Sequence, residues 1–124
     1  MNLPERERAN ALFHLSQINR VDPVPLDETL IEAMVILAKT AREARTRHST
    51  WFRLGGMAGP DAVDDLVNAL AEEPSETVRE WVVHGLEKNI DEPGVRDALE
   101  STRLNDPSPL VRSTAERALN DEEQ

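Results

Sequence analysis

Two stretches of this chain superimpose on each other without a gap. At a shift of 33 residues the run from Pro60 falls on the run from Pro93, so that Leu66 meets Leu99, Pro74 meets Pro107 and Ser75 meets Ser108. Val78-Arg79 then meets Val111-Arg112, and Val82 and Leu86 meet Ala115 and Leu119. A fixed period of this length marks a solenoid, in which each unit buries its apolar stripe only by stacking on its neighbours.

Each unit reads as a pair of helices. Val63, Leu66, Val67 and Leu70 recur at helical spacing, with Asp61, Asp64 and Asp65 near the positive end of the helix dipole. The chain breaks at Glu73-Pro74, and Ser75 is placed to cap the second helix, as Ser108 is one repeat later. Pro109 then occupies the first helical position, where its missing N–H costs nothing. Val78, Val82, Gly85 and Leu86 share one side of the second helix; Val111, Ala115, Ala118 and Leu119 are their counterparts.

Upstream the pattern continues with more variation. Leu30, Met34, Leu37, Ala38 and Ala41 suit a first helix starting after Asp27, and Arg47, Thr50 and Leu54 suit a second, 32 residues before Arg79, Val82 and Leu86. Gly55, Gly56 and Gly59 read as the cap and turn that end it. One unpaired helix is expected over residues 5–19, where Arg8, Ala11 and Leu15 repeat the spacing of Arg112, Ala115 and Leu119. The expected architecture is a single all-α domain over residues 1–124 with about three and a half helix-pair repeats, seven helices in all. Its parts are a capping helix (5–19) and repeats at 26–57, 60–90 and 93–120, with divergent ends that turn a polar flank to water. The last residues, from Asn120 on, are expected to fray.

Asn105-Asp106-Pro107-Ser108-Pro109-Leu110-Val111-Arg112, followed by Ala115 and Leu119, resembles the HEAT repeat, and Glu73-Pro74-Ser75-Glu76-Thr77-Val78-Arg79 carries the same signature. The short period is similar to the compact version called the phycobilisome-lyase HEAT-like repeat. The resemblance implies a right-handed α-α superhelix. It also implies a structural ladder between repeats, here Glu73, Arg79, Asp106 and Arg112, and a concave binding surface lined by the second helices.

Twenty-four acids against fourteen bases give a formal charge of −10. Nucleic-acid binders work by releasing counterions from phosphates and need a basic face, so neither a nucleic acid nor an anionic membrane is an expected partner. The polar start, Met1 to Arg8, has no apolar signal core behind it, and no apolar run approaches eighteen residues. A cytoplasmic location is the expectation. Without cysteine there are no disulfides, thiolate metal sites or thiol nucleophiles.

The search for chemistry is mostly negative: no Gly-rich phosphate loop, no His-Glu-x-x-His helix, no second metal-ligating pair. Glu80 and His84 share a helix face but would need help from another helix to hold a metal, and no cofactor is expected. Helical geometry says more. With Val82 at the buried centre, Glu80, His84 and Glu87 point away, and the repeat shifts bring Phe52, His84 and Arg117 into a row beside His48. Trp81 lies at the border of that face and Trp51 at the opposite border, where filling a gap between repeats is its expected role. The candidate partner-binding residues are therefore His48, Phe52, Glu80, Trp81, His84, Glu87 and Arg117. The expected function is a non-catalytic adaptor holding a protein of basic or mixed charge. The alternatives are a relative of the bilin lyases, a weak nucleic-acid-binding module, and a homodimer formed through Phe52 and Trp81.

Overall fold

The computed structural model describes residues 27–122, and the expected helix over 5–19 lies outside them. Among the described residues the chain forms six α-helices and no strand: α1 (Glu28–Thr40), α2 (Ala44–Met57), α3 (Val63–Glu72), α4 (Glu76–Glu87), α5 (Val95–Asn105) and α6 (Pro109–Glu122), with a 3₁₀ turn at Gly59–Ala62. α6 includes Asn120 to Glu122, which were expected to fray. No helix of the described residues is long and apolar enough to cross a membrane.

Local chemistry sets the helix starts where the sequence places them. Asp27 accepts the Thr29 N–H at 2.8 Å, and the Ser75 and Ser108 hydroxyls accept the N–H groups of Val78 and Val111, each at 3.4 Å. These side chains satisfy donors that a helix leaves open in its first turn. Gly94, at φ 87°, and Gly59, at φ 57°, supply the left-handed turns before α5 and α3.

The helices pair as α1/α2, α3/α4 and α5/α6, and one continuous core runs through all three pairs. Met34, Trp51, Leu54, Leu66, Val78, Val82, Leu86, Leu99, Val111 and Ala115 are all buried in it. Trp51 is 1 % exposed, so it fills the space between repeats, as expected. Burial of such side chains stabilises by roughly 1.5–3 kcal/mol each before conformational entropy is counted.

The second helices α2, α4 and α6 pack closely along one another, while the first helices of successive pairs have few mutual contacts. Tighter spacing on one side curves the stack toward that side, which makes the second-helix face concave. Two glycines allow the closest approach. Gly55 lies inside α2, not at its end, and a Cβ added to it would stand 2.5 Å from the Gly85 Cα. The buried Asn89 amide holds the crossing, donating to the carbonyls of Gly55 at 2.8 Å and Gly85 at 3.1 Å.

The arginine ladder forms, with one more rung than the sequence pattern assigned. The Arg79 guanidinium donates from Nε and Nη2 to Asp106 at 3.0 and 3.2 Å, and from Nη1 to the carbonyls of Glu73 and Pro74. Arg47 repeats this one unit earlier, reaching Glu73 at 3.0 Å through both Nε and Nη2 and the Ala41 carbonyl through Nη1. Glu73 therefore pairs with Arg47, a residue first read only as part of the helix pattern. Arg112 makes the backbone half of a rung, to the Asp106 carbonyl at 2.7 Å. Each loop acid also accepts an N–H at the next helix start, Ser75 for Glu73 and Ser108 for Asp106. One carboxylate thus ties a loop, a helix start and the neighbouring repeat together.

The outward flank of the last pair is polar, as expected for the end of a stack. Where the preceding unit has Val67, Leu70 and Val83, the last has Glu100, Arg103 and Glu116. Glu100 and Arg103 form an ion pair at 2.7 Å, which holds the Glu100 carboxyl below the usual range.

Candidate functional site

Three of the candidate residues on the second-helix face meet around a fourth, Trp81. The His48 ring stacks on the indole, with centroids 5.2 Å apart and planes at 19°. Phe52 meets it edge-on at 5.1 Å and His84 at 5.3 Å. Aromatic pairs in these geometries contribute about 0.5–1.5 kcal/mol beyond area burial. Trp81 itself remains half-buried, so its anchoring does not use up its surface.

Phe52 was expected opposite His84, its equivalent in the repeat, but its ring contacts Trp81, one turn earlier. Side chains of neighbouring helices interdigitate, so a residue leans into the groove between two neighbours instead of facing its own equivalent. Arg117 does not join the cluster: it is exposed on α6, and its Nη2 lies 3.5 Å from the Thr114 hydroxyl of the same helix. Thr114, the counterpart of Trp81, is 2 % exposed and so is a core residue despite its hydroxyl. Glu80 lies 3.4 Å from that hydroxyl, which donates to the Leu110 carbonyl at 2.8 Å. Glu80 and Glu87 flank the cluster and are not part of the pocket beside it.

That pocket lies between α2 and α4, is open to solvent and has a volume of about 480 Å³. His48, Phe52 and Trp81 line it together with Ser49, Arg53, Gly56, Met57 and Lys88. None of the last five is among the candidate partner-binding residues of the sequence. Ser49, Phe52, Arg53 and Gly56 lie at helical spacing along one stripe of α2, and that stripe was the signal available. The Lys88 ammonium stands 3.7 Å from the centroid of the Phe52 ring. Such a cation over an aromatic face contributes about 0.5–1 kcal/mol where exposed.

Among the described residues no carboxylate lines this pocket. Acids gather instead on the first-helix side, where Glu28, Glu32, Asp61 and Asp65 surround Ile31, Val35 and Ile36 in a depression of about 650 Å³. The expectation of a partner of basic or mixed charge rests on net charge and on Glu80 and Glu87, neither of which lines this pocket. Among the described residues no three His, Asp or Glu side chains are grouped so as to hold a metal ion.

His48 carries an electrostatic signature. Its Nδ1 is buried without a hydrogen-bond partner. Burial first, and the nearby Arg45 second, push its pKa below 6.5, against a smaller opposing pull from Glu80. The unfolded chain therefore takes up this proton before the folded one. The stability associated with neutral His48 is present above that pH and is lost as pH falls through it. His48→Phe keeps a ring against Trp81 and removes the proton. Urea unfolding at about pH 7.5 and about pH 5 should show the natural protein losing stability relative to the variant on acidification; an unchanged difference would contradict the assignment.

No curated protein and no solved structure matches the chain. The family model for HEAT repeats matches residues 31–120, and nothing in the match singles out the phycobilisome-lyase version. That span runs from within α1 into α6 and takes in the whole arginine ladder, and the chain belongs to the HEAT repeat family.

Proposed function

We propose that this protein is a non-catalytic interaction module that seats a segment of a partner protein on its second-helix face, with one anchor side chain in the pocket between α2 and α4. The observation that carries the reading is Trp81, held by His48, Phe52 and His84 and still half-exposed in a pocket of about 480 Å³. A rigid, part-exposed tryptophan beside arginine is the composition of interface hot spots. Its rings are fixed before any partner arrives, which lowers the ordering cost of association. Family membership agrees, since HEAT repeats are commonly protein-interaction modules.

The test is affinity capture from native lysate with the natural chain, Trp81→Ala, and Leu104→Ala as a control on the exposed Leu104. A specific partner, identified by mass, should bind Trp81→Ala roughly thirtyfold more weakly and the control equally well. Circular dichroism establishes that each variant is folded. Equal capture by folded Trp81→Ala would contradict the proposal.

A further inference from the structure

We propose that the pocket between α2 and α4 selects a partner segment in which an apolar anchor side chain stands next to a carboxylate, an Asp or Glu of the partner protein. This rests on the reading of the second-helix face as the docking surface, and adds the chemistry that surface selects.

The first ground is where charge lies. The chain carries ten more acids than bases, yet among the described residues the charged side chains lining this pocket are Arg53 and Lys88, with no carboxylate beside them. The first-helix depression shows the opposite arrangement, four carboxylates around an apolar floor. The sign of charge at this pocket is thus a local reversal of the sign of the chain as a whole.

The second ground is how Lys88 is held. Its ammonium is fixed over Phe52 and packs beside Gly56, where an added Cβ would stand 3.1 Å from Nζ. No carboxylate among the described residues forms an ion pair with it. Its charge is thus positioned at an apolar wall with no ion pair among the described residues, and low-dielectric walls strengthen the field that such a charge projects into a cleft. At His48 the effect of Arg45 on the ring's proton exceeds the opposing effect of Glu80. An arriving lysine or arginine would meet like charge there, whereas a carboxylate beside an aromatic or leucine side chain meets Lys88 while the apolar group covers Phe52 and Trp81.

The experiment is selection of displayed random peptides of about ten residues, the length that the second-helix face can accommodate, against the intact chain. Affinities of the enriched peptides are then measured by calorimetry. Enriched sequences should place Asp or Glu beside Phe, Trp or Leu. Their affinity should fall about tenfold or more in Lys88→Glu, return in Lys88→Arg, and weaken with salt. Peptides that need Trp81 but carry lysine, arginine or no charge, and bind Lys88→Glu equally well, would overturn this inference while leaving the docking surface in place. Failure to select any Trp81-dependent peptide would overturn both. Self-association of the chain, abolished by Trp81→Ala in sedimentation, would overturn it in favour of a second copy as the occupant.

Discussion

Asp106→Ala should lower the stability of the protein by about 3–5 kcal/mol, the largest effect expected of any ladder substitution. The carboxylate takes two bonds from Arg79 and one from the Ser108 N–H, in a pair whose side chains are 10 % and 5 % exposed. Alanine would leave the guanidinium buried with its carboxylate gone and leave the N–H at the start of α6 without its acceptor. Unpairing a buried charge costs far more than the pair itself contributes, because the remaining ion cannot regain water without disturbing the fold. Asp106→Asn keeps the shape and an acceptor, and should lose distinctly less. The comparison that isolates the cause is Glu100→Ala, which breaks the exposed pair with Arg103 and should leave the urea midpoint unchanged. Equal, small losses for Asp106→Ala and Glu100→Ala would show that the ladder does not hold the repeats together.

Gly55→Ala should be destabilising by about 2 kcal/mol, although alanine is the better helix former. The new Cβ would lie 2.5 Å from the Gly85 Cα and 2.6 Å from its carbonyl oxygen, and backbone cannot rotate away as a side chain can. α2 and α4 would have to separate, stretching the two Asn89 bonds that bridge them. The reciprocal change is informative because it is not symmetric. At Gly85 a Cβ would meet the Trp51 carbonyl at 3.3 Å and the flexible end of Leu66 at 3.4 Å, so Gly85→Ala should come out near neutral once helix propensity is credited. Thermal or urea unfolding of both variants reads the difference. If Gly55→Ala is as mild as Gly85→Ala, the close approach of α2 and α4 is not what sets the curve of the stack. The same separation would pull Phe52 away from Trp81, so Gly55→Ala should also weaken binding at the pocket.

The two glycines mark where the sequence stops being legible. Helix pairs, their order, the caps at Ser75 and Ser108 and the core residues Val78, Val82 and Leu86 follow from period and spacing, because a repeat states the same local chemistry several times. Membership in the HEAT family follows from the same residues. The contact between Gly55 and Gly85 does not follow, since a missing side chain leaves no mark in a hydrophobic pattern. Gly55 therefore reads as a terminator, although α2 continues to Met57. Arg47 is legible in principle: it stands 32 residues before Arg79, and only the varied loop ahead of it, with Ala41 where the later units have an acid, hides its role.

The candidate site divides in the same way. His48, Phe52, Trp81 and His84 are legible as a cluster because helical geometry places them on neighbouring faces. Their pairing is not, because the repeat shift aligns equivalents, while interdigitation sets Phe52 against Trp81 and leaves Arg117 apart. The burial of Thr114 is hidden for a related reason. A hydroxyl that donates to its own helix at the Leu110 carbonyl can be buried as readily as a small apolar side chain. The local charge of the pocket is the feature furthest from composition, since a strongly acidic chain places Lys88 and Arg53 where the tryptophan is.

Everything proposed for the second-helix face depends on a protein docking around Trp81. Its most direct test is a benzophenone side chain placed at position 49, on the pocket lining, or at position 101, exposed on α5, followed by illumination in native lysate. A discrete cross-linked protein is expected from position 49, absent from position 101 and lost when Trp81→Ala is added. A cross-link that forms equally from position 101, or that survives Trp81→Ala in a folded chain, would contradict it.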